Sequence, residues 1–217
     1  MDEERGGRKG IAVGRNLALE LVGTIRHDGD GGVADDWDDV PRTAAWLRDR
    51  AELLAESIEA EGFAADEALR SELVALRQAV RALFARAVRP APPSPADSGR
   101  LMPADRALAA LNAAAREPVL PQLDWADGES PSVRLLSVGQ DPRVRLVAVL
   151  ARAAIDFLAG PDLGRLRACT APRCVRYFLK AHGRQEWCKP SCGNRARVAR
   201  HYRRRRTTAA DAESSQE

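Results

Sequence analysis

Four cysteines stand between residues 169 and 192, and the chain of 217 residues has no others. Their spacing is Cys169-x4-Cys174-x13-Cys188-x3-Cys192. A disulfide framework, a metal site and a redox pair all gather sulfurs. The redox reading needs Cys-x-x-Cys, which does not occur. The disulfide reading needs an oxidising compartment. The N-terminus, MDEERGGRKG, is charged and has no apolar core of a secretory signal, so the chain is expected in the cytosol with its thiols reduced. Two close pairs separated by a short span are the layout of a four-thiolate zinc site. Each pair must bend the backbone until both sulfurs face one point, and Pro172 and Pro190 stand where such bends are needed. Four thiolates fill a tetrahedral ion, so one structural Zn2+ with no open position is expected. An iron–sulfur cluster, which also takes four cysteines, is the runner-up. His182 could replace a cysteine, but beside four of them it reads as a turn or phosphate-contacting residue. The zinc-deaminase pattern, H-x-E with P-C-x-x-C, is absent.

Charge gathers at the same place. Residues 165–206 hold fourteen Lys or Arg and one acid, Glu186, a net +13 that leaves −10 for the rest of a chain whose total is +3. An acidic body with a strongly basic module at one end implies a polyanionic partner for the module. The segment CGNRARVARHYRRRR predicts a helix starting near Ser191, which would cap it, with Cys192 binding metal from the first turn. Helical spacing places Cys192, Ala196, Ala199 and Tyr202 on the packed side and Arg197, Arg200 and Arg204 outward, with His201 beside them. Arg195, Arg203 and Arg206 fall nearer the packed side, where they snorkel past it or pair with acids of the body. Arg197, Arg200, Arg204, Arg205, Arg195, Lys189 and Arg184 form the candidate nucleic-acid set. Phe178 and Trp187 read as the small core around the metal, and Tyr177 as either core or a base-stacking residue.

The elements that must hold this module precede it. Residues 1–10 read as disordered, and Gly14–Ile25 as an apolar segment with helical bias that would also suit a strand. RHDGDGGVADDWDD is a loop of solvated carboxylates without calcium-loop spacing, with Asp38 or Asp39 as a helix cap. A helix is expected over Pro41–Glu61, with Ala45, Trp46, Leu53, Leu54 and Ile58 apolar and Gly62 ending it. A second, over Asp66–Val88, would pack against it as an antiparallel hairpin through Leu69, Leu73, Leu76, Val80, Leu83 and Phe84. Residues 89–100, with four prolines, predict an extended linker, and a third helix follows Pro103. VLPQLDW and SVRLLSV, around Asp127–Gly128, predict a β-hairpin. Asp141 and Pro142 open a helix whose broad face carries Val144, Leu146, Val147, Leu150, Ala154, Phe157 and Leu158. The tail TTAADAESSQE reads as disordered.

Cys169, Cys174, Trp187–Cys188 and Cys192-Gly193-Asn194-Arg195 resemble the bacterial CGNR zinc finger, and LALELVGT resembles the opening of the ABATE domain that precedes it. The resemblance covers about Asn16 to Arg206. Glu20 and Gly23 depart from the family's opening, nearer L-D-L-V-N-T, and Gln185 and Glu186 interrupt its basic stretch before Trp-Cys. It implies zinc on the four cysteines, DNA binding by the finger and stress-induced transcription regulation. The expected fold is mainly α with a small β-hairpin. Residues 11–162 form an ABATE-like helical body. Residues 163–206 form a treble-clef-like finger ending in a basic helix, and 207–217 a free tail.

The function expected is therefore a zinc-dependent, DNA-binding transcriptional regulator, cytoplasmic and nucleoid-associated, whose body senses a small-molecule or stress signal or forms a homodimer. RNA or ribosome binding, or docking of an acidic protein on the finger, use the same charges. Catalysis is not expected. His27 is the sole histidine outside the finger region, and no nucleophile–base set or phosphate-binding glycine loop is present. No apolar run is long enough to span a membrane.

Overall fold

The computed structural model describes residues 16–30, 32–54, 64–128, 130–139 and 141–214. The expected disorder of residues 1–10 lies outside them, as do Ile58 and Gly62. Among the described residues the fold is mainly α, with three separate two-stranded antiparallel sheets.

The Asn16 side chain accepts from the backbone of Ala18 at 3.0 Å and starts α1 (Leu17–Val22). Gly23 follows as its C-cap, its N–H donating to the Leu19 carbonyl at 2.9 Å, and a Cβ there would stand 2.8 Å from that oxygen, so glycine fits the position. The chain turns at once into β1 (Ile25–His27), so the apolar opening is helix first and strand second. The aspartate-rich segment is not a plain loop. β2 (Val33–Asp35) pairs with β1, Ile25 opposite Asp35, and Asp28 closes the turn by accepting from Asp30 and Gly32, each at 2.9 Å. Nor are its acids all solvated. Arg77 donates to both oxygens of Asp35, at 2.5 and 2.6 Å, and to Thr24 at 2.9 Å. Partial burial by itself pushes the Asp35 carboxyl up, but these bonds outweigh it and hold the group below its usual value.

Asp39 caps α2 (Val40–Arg48), accepting from Arg42 at 2.8 Å. The helix expected to continue stops at Asp49, and α3 (Ala51–Leu54) starts afresh. Arg50, at the break, pairs with Glu20 at 2.8 Å and covers the Trp46 ring. Asp66 caps α4 (Glu67–Ala87), the central helix, with Leu69, Leu73, Leu76, Val80, Leu83 and Phe84 buried. α4 touches α2, but the helix lying along it is α5 (Ala104–Ala114), so the predicted hairpin is not the main pairing. The proline-rich stretch brings α5 back. It contains a short helical turn at Pro95–Asp97 and buries Ser94 and Asp97, so it belongs to the core and is no mere linker.

β3 (Val119–Asp124) and β4 (Ser132–Ser137) form the predicted hairpin in full register, Val119 opposite Ser137 through Asp124 opposite Ser132. Asp141 caps α6 (Pro142–Ala159), which buries Leu146, Leu150, Ala154 and Phe157. Val144 lies outside the core, 44% exposed, in the first turn. β5 (Leu166–Ala168) pairs with β6 (Tyr177–Leu179), and α7 (Pro190–Ser214) closes the described chain. The tail expected to be disordered continues α7 through Ser214, since no glycine or proline interrupts it. No helix among the described residues is long and apolar enough to cross a membrane.

Candidate metal centre and basic helix

The finger is built onto the body. In β6, alternate side chains point to opposite faces. Phe178 packs with Cys169, Ala171, Cys174 and Cys192, whereas Tyr177 enters the main core with Phe84, Phe157 and Leu166. The Tyr177 ring meets Phe84 edge-on at 5.5 Å. Its hydroxyl donates to Asp97 Oδ2 at 2.7 Å and accepts from the Ser94 N–H at 3.3 Å. Burial, then the Asp97 carboxylate, pushes that hydroxyl well up from its ordinary value. Arg81 donates to Asp97 Oδ1 at 2.6 Å, to the Val22 carbonyl at 2.7 Å and to Ser94 Oγ at 3.1 Å. Ser94 Oγ donates in turn to the Val175 carbonyl at 2.8 Å. Tyr177 is therefore a pin between finger and body, and is not available for base stacking.

Beyond the pin, two tight turns converge. Cys169 donates its N–H to the Arg176 carbonyl at 2.9 Å, and Cys174 to the Ala171 carbonyl at 3.0 Å. Arg173, between Pro172 and Cys174, takes a left-handed φ of 63°, the bend that turns the second sulfur toward the first. Gln185 shapes the opposite loop, accepting from Ala181 N–H at 2.6 Å and donating to the Trp187 carbonyl at 3.1 Å. Cys188 leads into α7, whose first residue is Pro190, so Ser191 lies inside the helix and does not cap it. Cys192 is in the first turn, as its spacing predicts.

The four Sγ atoms lie within 4.8 Å of one another, and three of the four cysteines are buried. Cys188 Sγ is 3.6 Å from Cys174 Sγ and 3.5 Å from Cys192 Sγ. These are not disulfides, whose sulfurs bond at about 2.05 Å. They match the edge of a tetrahedron of sulfurs about 2.3 Å from one ion. An iron–sulfur cluster spreads its four thiolates over two or more irons. The donor set thus fits one structural zinc. Hydrogen bonds from Cys169 and Cys188 push the Cys174 thiol down to about 3. The same sharing of protons with Cys169 and Cys174 pushes Cys188 up. All four sulfurs so close together can be ionised only around a divalent cation. His182 is exposed at a turn and outside the cluster.

Gly193 and Arg195 complete the site. A Cβ on Gly193 would stand 3.0 Å from the Trp187 ring, so glycine lets the indole lie against the helix's first turn without being pushed aside. Arg195 reaches back across the metal site. Its Nη2 donates to Cys192 Sγ at 3.1 Å and its Nε to the Pro172 carbonyl at 3.2 Å. One cation thus ties the two turns together and offsets thiolate charge. Arg195→Gln is expected to speed zinc release to a colorimetric chelator, in line with the roughly 10- to 100-fold affinity losses for outer-shell partners of metal ligands. An unchanged release rate would mean that the contact is idle.

The other members of the candidate nucleic-acid set are exposed: Arg184 and Lys189 before α7, and Arg197, Arg200, Arg204 and Arg205 along it. Arg200 leans to the packed side, where with Arg203, Glu186, Trp187 and Thr170 it lines a groove of about 450 Å³. Tyr202, expected to pack, is 62% exposed, because the finger ends before α7 reaches it. The side chain of Arg206 lies outside the described residues. The sequence reading missed the roles of Gln185, Arg81, Ser94 and Asp97, which carry no spacing signal. Arg195 had one, since it lies one helical turn after Cys192.

A family profile described as "ABATE: Putative stress-induced transcription regulator" matches residues 15–161, and one described as "CGNR zinc finger" matches residues 165–205. No curated protein sequence matches the chain.

Proposed function

The chain belongs to the ABATE family and carries a CGNR zinc finger, and from that premise we propose that it is a zinc-dependent regulator whose finger binds DNA. The observation that carries this reading is the placement of α7. Its first turn holds a metal ligand, and the exposed arginines follow on a helix fixed to the body through Tyr177. A metal with four thiolate ligands does no chemistry of its own there; it aims the helix. The arginines then meet a phosphate backbone, which positions the protein on the duplex. The chain acts by binding and not by catalysis, in the cytoplasm. The body receives the signal, and a groove of about 830 Å³ between the end of α4 and the proline-rich stretch, lined by Ala82, Pro90, Pro93 and Met102, offers space for a small ligand.

Titration of duplex DNA at increasing salt tests this. With about five phosphate contacts, the log–log slope of affinity against salt is expected near −4 to −5. Chelation of zinc is expected to abolish binding. A flat salt response, or binding that survives chelation, contradicts the proposal.

A further inference from the structure

Six side chains of α7 form one face, in two adjacent rows. Asn194, Arg197, Val198, His201, Tyr202 and Arg205 are spaced three and four residues apart, the interval that stacks residues on one helix face. All six are exposed, Val198 at 54% and Tyr202 at 62%. The opposite face carries Cys192, Ala196 and Ala199, buried or half-buried against the finger. The outermost face is therefore not the arginine stripe expected from sequence. It is mixed: an amide, two guanidinium groups, an imidazole and two apolar surfaces.

That mixture is informative. Phosphates are met by guanidinium, ammonium, amide and hydroxyl groups, none of which accounts for Val198 standing 54% exposed in the middle of this face. Base edges in the major groove ask for what is present. An amide pairs with adenine, a guanidinium with guanine, and apolar surface covers the thymine methyl. Arg197 donates to Asn194 Oδ1, so two polar members already meet on the same turn. The face runs over twelve residues, roughly 18 Å of helix, and the major groove, about 12 Å wide, admits a helix. The net +13 of residues 165–206 selects a polyanion as occupant.

We propose that this is a base-reading face. α7 enters the major groove of duplex DNA with these six side chains toward the base edges, while Arg204, at the edge of this face next to Arg197, contacts phosphates. The proposal rests on the DNA-binding reading above and adds which residues give specificity.

The test selects bound duplexes from a random pool with the zinc-loaded full chain. The enriched site and an unrelated duplex are then titrated with wild type, Val198→Ser, Tyr202→Ala and Arg204→Gln. Wild type is expected to enrich a motif of roughly four to six base pairs, the reach of about three helical turns. Val198→Ser and Tyr202→Ala are expected to weaken the enriched site about 5- to 150-fold while leaving the unrelated duplex and the salt slope unchanged. Arg204→Gln is expected to weaken both duplexes alike and to reduce the slope by about one. Zinc content equal to wild type shows each variant's finger to be intact. Equal losses on both duplexes for the two apolar variants, or salt-dependent binding with no enriched motif, overturn the base-reading face and leave DNA binding standing. Absence of duplex binding, or displacement of the duplex by structured RNA, overturns both.

Discussion

Cys188→Ser is expected to unfold the finger and to lower the melting midpoint of the body with it. The first half follows from the size of the finger's own core. Its cluster consists of Cys169, Ala171, Cys174, Phe178 and Cys192, with Trp187 and Cys188 partly covered. So few apolar contacts do not hold two tight turns and a helix start together. Structural zinc supplies on the order of 10–16 kcal/mol of apparent binding energy in such modules. Cys188 is the ligand whose sulfur stands against both Cys174 and Cys192, so a serine there breaks the set at its middle. The second half follows from Leu166 and Tyr177, which lie in the body's core. When β5 and β6 melt, Phe84 loses its edge-on partner and the buried Arg81–Asp97 pair opens to water. Calorimetry of wild type with zinc should show one transition, and the variant, or wild type with chelator, an earlier and broader one. A body that melts at the same temperature with and without metal would show the finger to be an independent bead, and the pin idle.

The difference between these two kinds of feature explains what the sequence could tell. The metal site was legible because ligation imposes spacing, and spacing is written in the chain. Cys169, Cys174, Cys188 and Cys192 need no tertiary knowledge to be paired. The helices over Glu67–Ala87 and Pro142–Ala159 were legible for a similar reason, since each has an aspartate cap and apolar residues at helical intervals. The buried polar groups were not. Arg77 and Arg81 fall on the buried side of α4, where a period-based reading expects only apolar residues. Nothing local reveals that Asp35, 42 residues away, and Asp97, 16 residues away, complete their charges. Ser94 and Asp97 were hidden by the prolines around them, which signal an extended chain. The outward face of α7 was misplaced for a geometric reason. Helical spacing assigns sides, but only the finger's extent decides how far the packed side continues, and it ends before Tyr202.

Asp97→Ala is the second substitution with a large expected effect, and it separates stability from metal binding. The side chains of Arg81 and Asp97 are 5% and 7% exposed. Removing the carboxylate leaves a buried guanidinium without its counter-charge, which costs about 3–5 kcal/mol. For a chain of this length that is a fall in melting temperature of roughly 6–20 °C. It also strips the Tyr177 hydroxyl of its acceptor, so body and finger lose their best-directed bond. The four cysteines are untouched, and zinc content is expected to stay at one per chain. Replacing both charges by apolar groups, Arg81→Met with Asp97→Leu, should recover much of the loss, since a buried pair is often no better than packed hydrophobic residues. The pair's use then lies in direction: Arg81 bonds α4 to the Val22 carbonyl, to Ser94 and to Asp97 at once, and through Asp97 to β6. If so, the double variant regains its melting temperature while the finger rocks on the body, visible as faster hydrogen exchange in β6 beside a full zinc complement. A double variant as protected in β6 as wild type would mean that apolar packing around Tyr177 and Leu166 alone orients the finger.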